Sequence, residues 1–351
     1  MRQRIRIKGE LFSGAGRGAY FTQLSWVKEQ MREKAGFEPF PGTVNLKVGE
    51  REFELLREEG RKGTPLPPPS PEFCLSRIVK VKLQDVPAAV IFPAEEVWIH
   101  KNTLEVMAPV HVKETLGVTD GDLLTLELER SFEPKGIVFD LDGTLIDSIE
   151  VYVADINEIF RRVGLPPVSR EEVVRCMRLH LNPWDEFIPK DLPQRDAVVE
   201  RCRALDKELW VEIYKQKADL FPGTSDLLRL LRERGLKLGV VTYGWEERGE
   251  IRELLQRRGV LELFDAVLTR FDVPRSKPAP DPILMCCEKL QIRPWEAVCV
   301  GDGPNDIKAG KAALSATVGV LTGVSAREEL EREEPDALIR TLEELPRVLW
   351  E

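Results

Sequence analysis

Gly136-Ile137-Val138-Phe139-Asp140-Leu141-Asp142-Gly143-Thr144-Leu145-Ile146-Asp147-Ser148 is the stretch that decides how most of this chain folds. An apolar run opening on Gly136 reads as a short buried strand. Two carboxylates follow, two residues apart, where that strand should end, and residues at that spacing share one side of an extended segment. Anions held so close need a cation, and Mg²⁺ takes hard oxygen ligands. Such a pair suits phosphoryl transfer: one Asp attacks phosphorus while its neighbour passes a proton to the leaving group. A polar turn after a strand is the alternative reading of these residues taken alone.

The rest of the C-terminal half repeats the pattern. Lys237-Leu238-Gly239-Val240-Val241 runs into Thr242-Tyr243-Gly244, Ser276-Lys277-Pro278 follows, and Ala297-Val298-Cys299-Val300 runs into Gly301-Asp302-Gly303-Pro304-Asn305-Asp306. A hydroxyl, a lysine and a second carboxylate pair thus fall at or just beyond strand ends, which converge on one crevice in a parallel sheet. Strands at Leu238–Val241, Ala266–Thr269, Ala297–Val300 and Ala316–Val320, with Ile137–Phe139, predict about five parallel strands alternating with helices, a doubly wound α/β sheet. Residues 151–220 are helical in pattern and interrupt this alternation. Their Trp184 and Trp210 suit either stacking on a flat substrate or packing inside the helical layer. The charged tail Ala326–Leu349 reads as a solvated closing helix.

In order and spacing these elements resemble the haloacid dehalogenase-like phosphohydrolases over roughly residues 135 to 345. The resemblance implies Asp140 as nucleophile and Asp142 as acid and then base. Asp140, the main-chain carbonyl of Asp142, and Asp302 would hold Mg²⁺, with Asp306 orienting a metal-bound water or Lys277. Thr242 and Lys277 would stabilise the transferring phosphoryl group, with Gly143, Thr144, Tyr243 and Gly244 bordering the phosphate. Tyr243 stands where a small or amide residue is common. The segment 151–220 would be an α-helical cap inserted in the core. A dehalogenase is the alternative chemistry, but a haloacid needs no proton donor for its leaving group.

The first 130 residues read differently. Ile5 and Ile7 alternate with Arg6 and Lys8 as in a half-buried strand. Ser13-Gly14-Ala15-Gly16-Arg17-Gly18-Ala19-Tyr20-Phe21 is a glycine-rich loop whose amides can face an anion, or a flexible hairpin loop. Gln23–Ala35 has helical periodicity, with Gly36 as its stop. Thr43 and Asn45 share one side of the next strand, so two neutral oxygens point one way, as a nucleotide-bound Mg²⁺ or an Asx-type turn would use them. Pro65–Pro71 is a stiff proline-rich loop, and strands at Arg77–Leu83, Ala88–Phe92 and Leu123–Leu128 complete a small barrel with one or two helices.

The Gly14–Phe21 loop, Pro41–Asn45, Leu104–Pro109 and Asp120-Gly121-Asp122 resemble the archaeal-type CTP-dependent riboflavin kinases over about residues 4 to 129. That family uses a cradle-loop β-barrel and makes FMN from riboflavin and CTP. By resemblance Ala15, Gly16, Arg17, Gly18, Ala19 and Tyr20 would hold the nucleotide with His111, Val112, Lys113 and Glu114. Thr43 and Asn45 would ligate Mg²⁺, and Glu105 would touch the flavin. Arg17 stands where an acidic residue is common, Lys113 replaces an arginine, and no threonine occupies Pro93–Glu96.

Composition agrees with a multidomain enzyme. The chain has 351 residues, too many for one typical core, and a net charge of −9 that argues against nucleic-acid binding. No membrane-length apolar run or leader-type segment is present, and six cysteines without C-x-x-C spacing read as reduced thiols, so a cytoplasmic protein is expected. The expected organisation is 1–131 barrel and 135–351 phosphatase core, with cap 151–220. Its substrates would be riboflavin, CTP and a phosphomonoester, and Mg²⁺ would serve both domains. The expected function is bifunctional: CTP-dependent FMN formation plus phosphate-ester hydrolysis, on a pathway phosphate such as 5-amino-6-(5-phosphoribitylamino)uracil. The alternative is a phosphatase for FMN or phosphoglycolate-like esters whose barrel binds CTP or flavin without turnover.

Overall fold

The computed structural model describes residues 1–14, 18–93, 102–179, 181–243 and 249–351. The chain divides into two compact units, Arg4–Arg130 and Ser131–Glu351 with Met1–Gln3.

In the first unit, β1 (Arg2–Phe12) buries Ile5, Ile7 and Leu11 and exposes the charged residues between them, the alternation its sequence dictates. Then come α1 (Gly18–Gln23), α2 (Ser25–Ala35), β2 (Val44–Lys47), α3 (Glu50–Lys62), β3 (Thr64–Leu66), β4 (Ser76–Leu83), β5 (Val86–Pro93), β6 (Thr103–Met107), α4 (Val112–Leu116) and β7 (Leu123–Ser131). The strands run β4-β5-β6-β2-β1-β7, and β7 pairs back with β4, so six strands close a barrel while β3 extends β4 on its other side. Closure removes free sheet edges. Val27 and Met31 of α2 pack in one buried cluster with Leu66, Ile78, Ala89, Ile91 and Met107.

The second unit is a six-stranded parallel sheet in the order β10-β9-β8-β11-β12-β13. Its elements in chain order are β8 (Gly136–Phe139), α5 (Ile149–Val163), α6 (Arg170–Arg178), α7 (Pro183–Phe187), α8 (Arg195–Lys217), α9 (Thr224–Glu233), β9 (Lys237–Val241), α10 (Glu250–Arg257), β10 (Ala266–Leu268), α11 (Asp281–Leu290), β11 (Ala297–Gly301), α12 (Pro304–Ala312), β12 (Ala316–Val320), α13 (Arg327–Arg332), β13 (Ala337–Ile339) and α14 (Leu345–Trp350). The strand order turns back on itself at β8. Successors β9 and β10 lie on one side and β11 to β13 on the other, so the crevice opens at the C-terminal end of β8. Phe139 pairs with Val240 and with Val300, which aligns the three strand ends that carry the polar motifs.

Helices α5 to α8 stand between β8 and β9 and build their own core from Ile156, Ile159, Phe160, Val173, Trp184, Ile188, Val199, Cys202 and Leu205. A capping box at Ser169–Glu172 starts α6, and the Asn182 side chain caps α7. Two paired strands of chain carry the helices out and back: Asp147 N donates to Asp219 O at 2.9 Å, and Phe221 N to Leu145 O at 3.0 Å.

Several elements differ from the sequence reading. Residues 326–349 are not one solvated helix: they hold α13, a sixth strand β13 and α14, and they bury Leu330, Ile339, Leu342, Leu345 and Leu349. A three-residue edge strand leaves too short an apolar run to register as a period. The helix read over Gln23–Ala35 begins at Ser25, because α1 precedes it. Gly36, at φ 88°, ends α2 as its glycine suggested. The barrel unit carries four helices among the described residues where one or two were expected. Those not read as helices are α1, which begins inside the glycine-rich loop, and α3, which buries Phe53, Leu55 and Leu56 under a charge-rich sequence. β7 also continues through Ser131, past the predicted end of its strand at Leu128.

Candidate active site

Asp140 follows β8 directly, its amide donating to Val300 O at 2.8 Å. Lys277 reaches in from the segment before α11. Its Nζ lies 2.5 Å from Asp140 Oδ1, 2.5 Å from Asp306 Oδ1 and 3.1 Å from Val241 O. Asp306, in the first turn of α12, also accepts from Gly303 N at 3.0 Å. Asp302 accepts from Thr144 Oγ1 at 3.3 Å, and oxygens of Asp140, Asp302 and Asp306 all lie within 4.8 Å of one another. The space around Asp302 is fitted by glycines: a Cβ on Gly323 would sit 1.7 Å from its Oδ2, and one on Gly143 2.6 Å from the same atom.

Asp142 is held on both sides. Tyr214 donates its phenol to Oδ1 at 2.7 Å, and Thr242 donates its hydroxyl to Oδ2 at 3.5 Å. Burial lifts the Asp142 carboxyl above the usual range, opposed by the Tyr214 bond. Burial likewise pushes Asp140 well up, with Lys277 working against it and Asp306 and Asp302 with it. Asp302 rises to about 7, from burial and then the neighbouring Asp306 charge. Lys277 moves the other way from what burial alone would do: its contacts with Asp140 and Asp306 keep it firmly protonated.

Three nearly buried carboxylates against one ammonium leave an excess of negative charge and only oxygen donors. That is a fit for Mg²⁺, which requires hard oxygen ligands. Asp140, Asp302 and Asp306 are the carboxylates that could hold it.

The predicted phosphate-bordering residues are placed unevenly. Gly143 N donates to Ile146 O at 2.8 Å and Thr144 N to Leu141 O at 3.3 Å, so both amides serve the turn. Gly143 O accepts from Thr322 Oγ1 at 2.6 Å. Tyr243 is 61% exposed at the end of β9, with the Arg270 guanidinium 5.7 Å from its ring. Gly244 lies outside the described residues.

In the barrel unit, Thr43 and Asn45 meet the glycine loop. A Cβ on Gly18 would lie 2.2 Å from Thr43 Oγ1, and one on Gly14 would lie 2.4 Å from Asn45 Nδ2. These residues line a cavity of about 240 Å³ with Ser13, Ala19, His111, Val112 and Lys113. Lys113 donates to Asp120 at 2.6 Å and to Ser13 Oγ at 2.9 Å, tying the loop's start to the Asp120 turn. His111 caps α4, its ring accepting from Glu114 N at 3.4 Å, while the Glu114 side chain is exposed. Tyr20 is 69% exposed. Glu105 pairs in register with Asn45 but is not among the residues lining this cavity. Ala15, Gly16, Arg17 and the stretch after Pro93 where a threonine was sought lie outside the described residues.

Sequence reasoning missed Tyr214 and Thr322. Both arrive by tertiary packing, and neither adjoins a motif. It singled out two tryptophans instead. Trp184 is buried inside the helical insertion against Phe160, and Trp210 packs between Tyr152 and Tyr214.

Comparison with known proteins bears on both units. The haloacid dehalogenase-like hydrolase family model matches residues 137–320. The CTP-dependent riboflavin kinase model, described as domain of unknown function DUF120, matches residues 11–128. The pyrophosphatase PpaX of Bacillus pumilus is 32% identical over 212 residues, 60% of this chain and 93% of that protein. A phosphoglycolate phosphatase of Vibrio vulnificus is 32% identical over 221 residues, 61% of this chain and 95% of its own. A crystal structure of a subfamily IA hydrolase of the same superfamily from Geobacter sulfurreducens superposes with a TM-score of 0.50 at 24% identity, covering 62% of this chain and 96% of that one.

Proposed function

The chain belongs to the haloacid dehalogenase-like hydrolases and carries a domain of the CTP-dependent riboflavin kinase family ahead of that core. From that premise we propose a bifunctional enzyme of flavin metabolism, divided as barrel 1–131 and phosphatase core 135–351 with cap 151–220. The core hydrolyses a phosphomonoester through an aspartyl-phosphate on Asp140. The observation that carries this reading is the pairing of Asp140 with Lys277 while Asp142 stands apart, held by Tyr214 and Thr242. That arrangement supports Asp140 as nucleophile and Asp142 as a separate proton carrier.

Bound Mg²⁺ would supply charge neutralisation between the Asp140 carboxylate and the phosphate dianion. Lys277 offsets the same repulsion from the other side, and Asp306 keeps its ammonium in place. Thr242 faces the developing charge on the phosphoryl oxygens. Asp142 gives its proton to the leaving oxygen and then takes one from the attacking water.

The barrel transfers the CTP phosphate to riboflavin; Thr43 and Asn45 would hold Mg²⁺, and Lys113 would face the nucleotide in the cavity beside the glycine loop. For the phosphatase we favour a phosphate of the riboflavin pathway such as 5-amino-6-(5-phosphoribitylamino)uracil, which must lose its phosphate before riboflavin forms. Hydrolysing FMN in the same chain would undo the kinase product. A second reading, a phosphoglycolate-like substrate, is favoured by the Vibrio vulnificus relative, a phosphoglycolate phosphatase. Ranking kcat/KM of the full chain for the ribitylaminouracil phosphate, FMN and phosphoglycolate tests the choice. A hundredfold preference for phosphoglycolate would break the link between the two activities.

A further inference from the structure

Tyr214 lies in the last turn of α8, at the point where the helical insertion returns to the sheet. Its place relative to Asp142 is fixed along the main chain. Ala218 N donates to Tyr214 O at 2.9 Å, Leu220 bridges Ile146, and Ile146 in turn bridges Asp142. The phenol ring is buried, 5.8 Å from Trp210, which is itself 4.8 Å from Tyr152. Its hydroxyl then meets Asp142 Oδ1 at 2.7 Å, the usual length of an O–H···O bond. The other oxygen, Oδ2, has only the longer contact from the Thr242 hydroxyl, at 3.5 Å.

We infer that Tyr214 is a positioning residue for proton transfer: it holds Oδ1 of Asp142 so that Oδ2 alone exchanges the proton. This rests on the phosphatase reading above. In the first half-reaction the Asp140–phosphorus bond forms and the bond from phosphorus to the leaving oxygen breaks, while the Oδ2 proton moves to that oxygen. In the second, water oxygen bonds to phosphorus, the Asp140–phosphorus bond breaks, and the water proton returns to Oδ2. Both transfers use one oxygen at one place. A carboxylate rotates readily about its last torsion, so a single oxygen stays aimed only if the other is tied. Here the tie comes from the inserted helices, so the seating of the insertion sets the acid–base geometry.

The test is Tyr214→Phe in the full chain, which keeps the ring and removes only the hydroxyl. An alkyl phosphate such as phosphoglycolate needs a proton on its leaving oxygen, whereas p-nitrophenol leaves as the anion. The value of kcat/KM, which reports steps up to phosphoenzyme formation, should fall roughly ten- to a hundredfold for the alkyl ester, the range of a hydrogen bond to a charged group. For p-nitrophenyl phosphate it should fall by less than about threefold. In an Asp142→Asn background the same substitution should add no further loss for the alkyl ester, because the two side chains act as one unit. Equal losses on both esters, no loss on either, or an additive loss in the double variant would overturn the assignment. Absence of turnover of either ester by the unsubstituted chain would instead remove the phosphatase reading, and the positioning role with it.

Discussion

The crevice at the strand ends and the cavity in the barrel handle charge in opposite ways. In the crevice, Asp140, Asp306 and Lys277 are only 11–12% exposed, and the protein supplies both signs of charge itself. In the barrel cavity the groups facing the glycine loop are a hydroxyl, an amide and a third-exposed lysine. The difference fits the proposed chemistry. An anionic nucleophile attacking an anionic ester needs its counter-charges built in. A nucleotide site receives a metal already carrying phosphates and needs few ligands of its own. Single substitutions should therefore act much more strongly in the crevice than in the barrel.

The largest effect is expected at Asp140. Asp140→Asn is nearly isosteric, and phosphatase activity should fall by on the order of 10³-fold or more with the fold retained. Steady-state kinetics checks it, and most activity surviving would mean direct attack by water. Thr242→Val should cost roughly tenfold to a hundredfold in kcat, the size of one lost donor to a charged oxygen. A change confined to KM would assign Thr242 to ground-state binding instead. In the barrel, Asn45→Ala should lower CTP-dependent FMN formation only about tenfold at limiting Mg²⁺, and added Mg²⁺ should restore part of it. A loss as deep as that of Asp140→Asn would erase the contrast between the two sites.

What the sequence made legible follows the same division. Asp140, Lys277, Asp302 and Asp306 could be read because each adjoins a buried strand or a sharp local motif, and β8, β9 and β11 converge in register. Tyr214 could not: its neighbours in α8 are ordinary helix residues, and it meets Asp142 where the chain folds back with Leu220 bridging Ile146. Thr322, which binds Gly143 O, was hidden for the same reason. β13 was missed because three apolar residues among charges set up no period. Helix α3 was missed under its high charge, although Phe53, Leu55 and Leu56 mark its buried face.

The smallest expected effect lies away from both sites. Asp155 in α5 is 3% exposed, and the carboxyl of Asp206 in α8 acts on it electrostatically. Burial and that neighbour raise it to about 8. The folded chain thus keeps a proton that the unfolded chain releases near the ordinary carboxylate range. Stability therefore falls as pH rises from about 4 toward 8 and levels off beyond. Asp155→Asn should remove that slope, leaving Tm a few degrees above the parent at pH 8.5 and converging with it near pH 4. Parallel Tm curves across that window would show that the carboxyl pair does not hold the extra proton.

The central claim is that phosphate passes through Asp140. Acid-quenching the full chain during turnover of a labelled phosphomonoester, followed by peptide mass spectrometry, tests it most directly. The account predicts a phosphoryl group on the peptide containing Asp140, labile to hydroxylamine and absent from Asp140→Asn. Continued hydrolysis with no labelled peptide, or label on another residue, would contradict it.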